Sequence, residues 1–233
     1  MKNTKIYLDT ANINQIKKFK DKNFICGFTT NPSLVAKNKV KNYLSFCKQI
    51  TSFTNKPVSF EVFGDDFKKM KQEAEILKGI SKNTYVKIPI VNSKGESSVK
   101  LIKELLDQKT KLNITAIFCE SQLKKLSKII TKRDNVILSI FCGRIMDTGK
   151  SVNKISNYAN KLFKKYNKTK ILWASTREIY NLNMARNLDY DLITITPEIL
   201  DKLKYKNFKL MKFSILTVKG FVSDAKSSGL KIV

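Results

Sequence analysis

Histidine is absent from the 233-residue chain. That removes Ser-His-Asp triads, histidine general bases and histidine-ligated metals from consideration. Glycine is sparse, at eight residues, and none falls in LDTANINQ (8–15). The first apolar run is therefore not followed by the Gly-rich phosphate loop of a dinucleotide-binding sheet. No apolar run reaches the length of about 18 residues needed to cross a bilayer, so no membrane span is expected. MKNTKIYLDTAN lacks the apolar core of a signal peptide. The four cysteines, Cys26, Cys47, Cys119 and Cys142, form no CxxC pair. Each sits among apolar residues, which predicts buried free thiols and a cytoplasmic protein. Arginine is also scarce: Arg133, Arg144, Arg177 and Arg186 are the full set.

Lysine is the opposite case. Lys and Arg total 45 against 19 acidic residues, a formal net charge of +26. Such a field suits a nucleic-acid partner, but the lysines are spread along every polar segment, as in the coding bias of an AT-rich genome. Nucleic acid is therefore not expected as the main partner, and attraction of small anionic substrates is the simpler consequence. A basic barrel that binds polyanions without catalysis is the alternative from another functional class.

Short apolar runs alternate with stretches of helical period. Strands are expected near Ile6–Asp9, Ile25–Thr29, Val58–Phe63, Tyr85–Ile90, Asn113–Phe118, Val136–Phe141, Ile171–Ala174 and Leu192–Thr196. Amphipathic stretches include Asp66–Ile80, Ser97–Leu106, Glu120–Ile130 and Val152–Phe163. With no Pro/Gly-rich linker, this reads as an α/β chain over 1–233 forming a single parallel (β/α)8 TIM barrel. Met211–Ser228 is expected to be an additional C-terminal helix, packing outside the barrel or on a neighbouring subunit.

In such a barrel reactive groups sit at the C-terminal strand ends. YVKIPIV (85–91) places Lys87 inside a run that reads as a buried strand. A buried ammonium is costly unless it is paired or gives up its proton, and a neutral amine is a nucleophile toward ketones. The plainer explanation is a lysine whose stem packs while its head reaches solvent. Glu61, in VSFEV, suits proton transfer through a water, or simply an ion pair with a lysine. Asp9 is a base candidate, or a helix cap. Ser175-Thr176-Arg177-Glu178 reads as a capping box and as a phosphate site. Arg144 could assist that site or pair with Asp147.

LDTAN (8–12), GFTTNPSL (27–34), VSFEV (58–62), YVKIP (85–89), LNITAIF (112–118), SIFCGRIMD (139–147) and ASTRE (174–178) run in order along nearly the whole chain. Together they resemble the transaldolase family, in its small branch shared with fructose 6-phosphate aldolases. The resemblance implies a Schiff-base mechanism with no metal or cofactor, acting on sugar phosphates. Lys87 would form the imine and Asp9 would take the C4 hydroxyl proton. Glu61, with Thr115 and a water, would shuttle protons. Asn31 and Asn113 would hold substrate hydroxyls, Ser139 would line the pocket, and Ser175, Arg177 and Arg144 would bind phosphate.

Glu61 and Phe141 resemble the transaldolase side of this family, whose aldolases carry Gln and Tyr there. A Tyr hydroxyl could protonate the enamine and release dihydroxyacetone, whereas Phe cannot. The resemblance therefore implies a transferase of the pentose phosphate route. There are two departures: Ser139-Ile140-Phe141 lacks the family's usual Pro-Phe pair, and Glu178 stands where Asn is common. Small members often assemble as rings of five or ten through a C-terminal helix, so a homo-oligomer (pentamer or decamer) is expected.

Overall fold

Runs such as VILSI and VSFE supply the β-branched and aromatic side chains that suit a pleated, half-buried surface. In this computed structural model, which describes residues 4–229 and 231–232, eight such runs form strands. They are β1 (Lys5–Asp9), β2 (Ile25–Thr29), β3 (Val58–Glu61), β4 (Thr84–Pro89), β5 (Leu112–Ile117), β6 (Val136–Ile140), β7 (Thr169–Trp173) and β8 (Leu192–Ile195). Each pairs in parallel with the next, and β1 also pairs with β8, closing a barrel in sequence order. This is the expected (β/α)8 architecture, with every strand within a residue or two of its expected limits.

The connecting helices are α1 (Ile13–Phe19), α2 (Pro32–Lys37), α3 (Tyr43–Phe53), α4 (Phe67–Lys78), α5 (Val99–Asp107), α6 (Glu120–Ser127), α7 (Cys142–Met146), α8 (Asn153–Phe163), α9 (Asn181–Asn187) and α10 (Pro197–Leu200). On α5 the residues Leu101, Ile102, Leu105 and Leu106 are buried, the single face their spacing requires. Two helices, α2 and α3, separate β2 from β3, and two more, α7 and α8, separate β6 from β7, so two connections are longer than a simple alternation would give.

Inside the barrel the character changes along the strands. Tyr7, Ile137 and Leu172 belong to one buried apolar cluster with Leu192. Two residues further along β1, β6 and β8 stand Asp9, Ser139 and Thr194, while on β7 the position is Ala174, still in the apolar cluster. Period-two alternation keeps these pairs on one face, so an apolar plug gives way to a polar layer near the C-terminal strand ends. Gly27 is needed at the plug, where a Cβ would stand 2.5 Å from the Tyr7 ring.

The chain divides into two compact units, the first ending at Leu200 and the second beginning at Asp201. The second holds a 3₁₀ turn (Asp201–Tyr205) and α11 (Leu210–Ser227), one residue from the expected helix limits. The rings of Tyr205, Phe208 and Phe213 meet edge to face with centroids 5.1–5.9 Å apart. No residue of α11 is buried. Among the described residues no helix is long and apolar enough to cross a membrane.

All four cysteines are free, but only Cys47 and Cys142 are buried. Cys26 is half-buried, and Cys119 is exposed. Its apolar neighbours misled the sequence reading because β5 ends at Ile117, leaving Phe118 and Cys119 beyond the barrel wall.

Candidate active site

Lys87 lies in β4 between Val86 and Ile88, both fully buried. Its Nζ meets Glu61 Oε2 at 3.0 Å and donates to the Thr30 carbonyl at 3.1 Å. Glu61 and Lys87 are register partners across β3 and β4, so their side chains leave the sheet together on the inner face. The two side chains are 14% and 8% exposed. At such burial an unpaired ion would cost several kcal/mol, and the pairing offsets it. Lys87 is thus buried with its strand, and the ion pair read as the plainer alternative for Glu61 is present.

Asp9 closes β1. Thr29 donates its hydroxyl to Asp9 Oδ1 at 2.7 Å and meets Thr194 Oγ1 at 2.5 Å. Thr29 spends its only proton on the carboxylate, so Thr194 is the donor in the second contact. Burial pushes the Asp9 carboxyl above its usual range, and the Glu61 charge adds to this; Lys87 and the Thr29 hydrogen bond oppose it. Asp9 caps no helix, because the N-cap of α1 is Asn12, whose side chain accepts from Gln15.

Lys87 also faces Asn113 in register across β5. Asn113 is wholly buried; its amide nitrogen donates to Ser59 Oγ at 3.0 Å, and its oxygen accepts from Ser139 Oγ at 2.6 Å. Thr115, 1% exposed, has a hydroxyl with no hydrogen-bond partner among the described residues. Beside it Ala116 takes φ +57 where the β5–β6 register shifts. Asn31 caps α2 through its oxygen, which accepts from Leu34 N at 2.9 Å.

A cavity of about 450 Å³ opens at these strand ends. It is lined by Asp9, Asn31, Glu61, Lys87, Thr115, Ser139, Phe141, Arg144, Ser175 and Arg177. Of the residues expected to react with or bind substrate, all but Asn113 lie on that wall, and Asn113 sits behind it, bonded to Ser139. Among the described residues no group of three or more thiol and carboxylate ligands is gathered that could hold a metal ion.

The rim carries the cations. Arg177 donates from Nε and its terminal nitrogen to Asp147, which is therefore the partner of Arg177 and not of Arg144. Arg144 lies over the Phe141 ring, its guanidinium carbon 5.6 Å from the centroid, and Phe118 backs Phe141 at 5.4 Å. The Ser175–Glu178 capping box does not form. Ser175 takes φ +61, outside the extended range of an N-cap residue. The helix begins only at Asn181, whose side-chain oxygen accepts from the Arg177 and Glu178 amides.

The family model for transaldolase/fructose-6-phosphate aldolase matches residues 6–226. This chain belongs to that family. Among its relatives, a probable transaldolase of Nitrosopumilus maritimus (strain SCM1) is 34% identical over 201 residues, covering 85% of this chain and 86% of the relative. A probable transaldolase of Bartonella tribocorum is 31% identical over 232 residues, covering 98% and 99%. Among solved structures, the tryptophan synthase A-subunit of Pyrococcus furiosus superposes with a TM-score of 0.58 at 10% identity, covering 90% of this chain and 93% of that one. That likeness is one of fold.

Within this member of the transaldolase/fructose-6-phosphate aldolase family, Thr194 carries no signal in the sequence and Asp147 pairs with a different arginine from the one its spacing suggests. Thr194 is an inward position two residues after Leu192, but a threonine in a strand attracts no notice.

Proposed function

We propose that this chain is a transaldolase that transfers a dihydroxyacetone unit through a Schiff base on Lys87. The donor is a ketose phosphate (sedoheptulose 7-phosphate or fructose 6-phosphate), and the acceptor an aldose phosphate (glyceraldehyde 3-phosphate or erythrose 4-phosphate). One observation carries this reading: a buried lysine paired at 3.0 Å with a carboxylate, facing a cavity with a second carboxylate at its base and two arginines at its rim.

Glu61 takes the ammonium proton as substrate enters, leaving a neutral amine. The Lys87 nitrogen bonds to C2, the carbonyl π pair moves to oxygen, and the amine proton passes to that oxygen. Glu61, with Thr115 and a water, then protonates the hydroxyl, which leaves as water and gives the iminium. Asp9 takes the C4 hydroxyl proton. The C3–C4 bond breaks, its electron pair flows into the iminium to give the enamine, and C4 leaves as an aldehyde. The enamine carbon attacks the acceptor aldehyde, whose oxygen receives the proton from Asp9. Hydrolysis of the new iminium frees Lys87.

Among the described residues the Asn31 amide NH2 has no partner and is left for a substrate hydroxyl, and Asn113, held by Ser59 and Ser139, orients Ser139 at the wall. Ser175, Arg177 and Arg144 bind the phosphate. Phe141 has no proton to give the enamine, which favours transfer over release. The reading places the protein in the cytoplasm, with sugar phosphates rather than nucleic acid as partners. We also propose that α11 is a contact in a homo-oligomer, a pentamer or decamer. Leu210, Met211 and Phe221 are 86%, 74% and 67% exposed, more apolar surface than a solitary helix tolerates.

Borohydride trapping with fructose 6-phosphate and no acceptor tests the mechanism. A reduced dihydroxyacetone adduct on Lys87 is expected; a folded protein without one would move the polyanion-binding alternative to the front. Adding the aldose phosphate should then consume the enamine faster than free dihydroxyacetone appears. Predominant release would make the chain a fructose 6-phosphate aldolase.

A further inference from the structure

We infer that Tyr43 is a positioning residue for Glu61, holding the end of β3 so that its carboxylate meets Lys87. This rests on the reading that Glu61 moves protons for imine formation.

In a parallel sheet the N–H and C=O of one residue point to the same side. Those of the next residue point to the other. Val62 N donates to the Lys87 carbonyl on the β4 side, so Glu61 turns its own N–H and C=O toward β2. But β2 is already leaving. Its last bond to β3 runs from Thr30 N to the Ser59 carbonyl, after which Asn31 starts α2. Two backbone groups at the residue that carries the carboxylate therefore have no strand to pair with, and left unpaired they would cost about 1–3 kcal/mol each.

The phenol of Tyr43, the first residue of α3, fills that place. The Glu61 N–H donates to its oxygen at 3.1 Å, and its O–H donates to the Glu61 carbonyl at 3.2 Å. One hydroxyl thus replaces both bonds of the missing strand. The ring is fixed by Phe63, Phe46 and Phe60, at centroid distances of 4.4, 6.1 and 6.4 Å. Burial raises the phenol above its ordinary range, so it keeps the proton it donates. Tyr43 is not on the cavity wall; its influence on the chemistry runs through Glu61.

The test is the rate of borohydride-trappable imine formation with fructose 6-phosphate in the full chain, Tyr43→Phe, Glu61→Gln and the double variant. Tyr43→Phe should trap on the order of ten- to a hundredfold more slowly at saturating substrate, with KM within about twofold of the parent. In the Glu61→Gln background it should add less than about twofold, since both changes then disturb one unit. Replacing Tyr43 by 4-aminophenylalanine, which keeps a polar donor in place, should restore most of the rate. If Tyr43→Phe does not fold, 4-fluorophenylalanine keeps the size of the hydroxyl without its proton and should be as slow. Tyr190→Phe is the control: its hydroxyl contacts Cys142 and Ser156, so it should lower the melting temperature without slowing trapping. An unslowed Tyr43→Phe, or additive effects in the double variant, would overturn the role while leaving the Schiff base standing. A parent chain that forms no adduct would overturn the parent reading first.

Discussion

A Cβ on Gly143 would stand 1.6 Å from the carbonyl oxygen of Ser175. The obstacle is backbone, and Ser175 already sits at φ +61, so neither partner can step aside cheaply. Gly143 is what lets the strand-six and strand-seven ends close together beneath Arg144 and Arg177. Gly143→Ala should cost about 1–3 kcal/mol in urea unfolding and raise KM for phosphorylated donors. An unchanged midpoint would mean that the loop has room the geometry denies.

Lys87→Met removes the nucleophile while filling similar volume, so the barrel should persist and the borohydride adduct disappear. It also strands Glu61, for an expected loss of about 3–5 kcal/mol. Adding Glu61→Gln should recover part of that stability and none of the turnover. Near-normal turnover in the single variant would exclude the amine from the mechanism.

Asp9 makes stability depend on pH in an unusual direction. Its folded carboxyl holds a proton more tightly than the unfolded one, whose ordinary value is 3.8. Below the unfolded value both states are protonated and Asp9 has no differential effect. As pH rises through the window up to the raised value, the unfolded state ionises first and gains. Asp9 is therefore a net burden at neutral pH. Asp9→Asn should raise the melting temperature at pH 7, with the gain fading on acidification, and should halt C3–C4 cleavage. A melting temperature lowered at pH 7 would show that the Thr29 hydrogen bond outweighs burial.

Arg177 and Asp147 are each 49% exposed, and such pairs are worth little, roughly 0.2–1 kcal/mol. On the proposed reading the donor phosphate competes with the Asp147 carboxylate for the guanidinium. Asp147→Asn should therefore lower KM for phosphorylated donors by about 1.4- to fivefold, the equivalent of that energy. Arg177→Ala should raise it, with much less effect on unphosphorylated sugars. Equal effects on both classes of donor would place the phosphate elsewhere.

What could be read before folding follows a physical divide. The barrel was legible because strand and helix periods are local, and Lys87 because alternation turns it inward when Val86 and Ile88 turn out. Its pairing with Glu61 needed register, which belongs to two strands at once. The Ser175–Glu178 pattern misled because a capping box is only a spacing, and the αL conformation of Ser175 forbids it. Asp147 pairs with Arg177 while Arg144, nearer in sequence, lies over the Phe141 ring. Tyr43 carries no sequence signal. It matters only where β2 turns away from β3.

The Thr29–Thr194 contact joins residues 165 positions apart, and it gives the site a birth order. A chain emerging from the ribosome has made the lysine and both carboxylates well before its last strand. Yet Asp9 receives its full hydrogen-bond chain only when β8 arrives to seal the seam beside β1. Closure of such distant pairings comes late and slowly. Every partial product, nascent or truncated before Leu192, is then expected to carry Lys87 and the two carboxylates without the order that the closed barrel gives them.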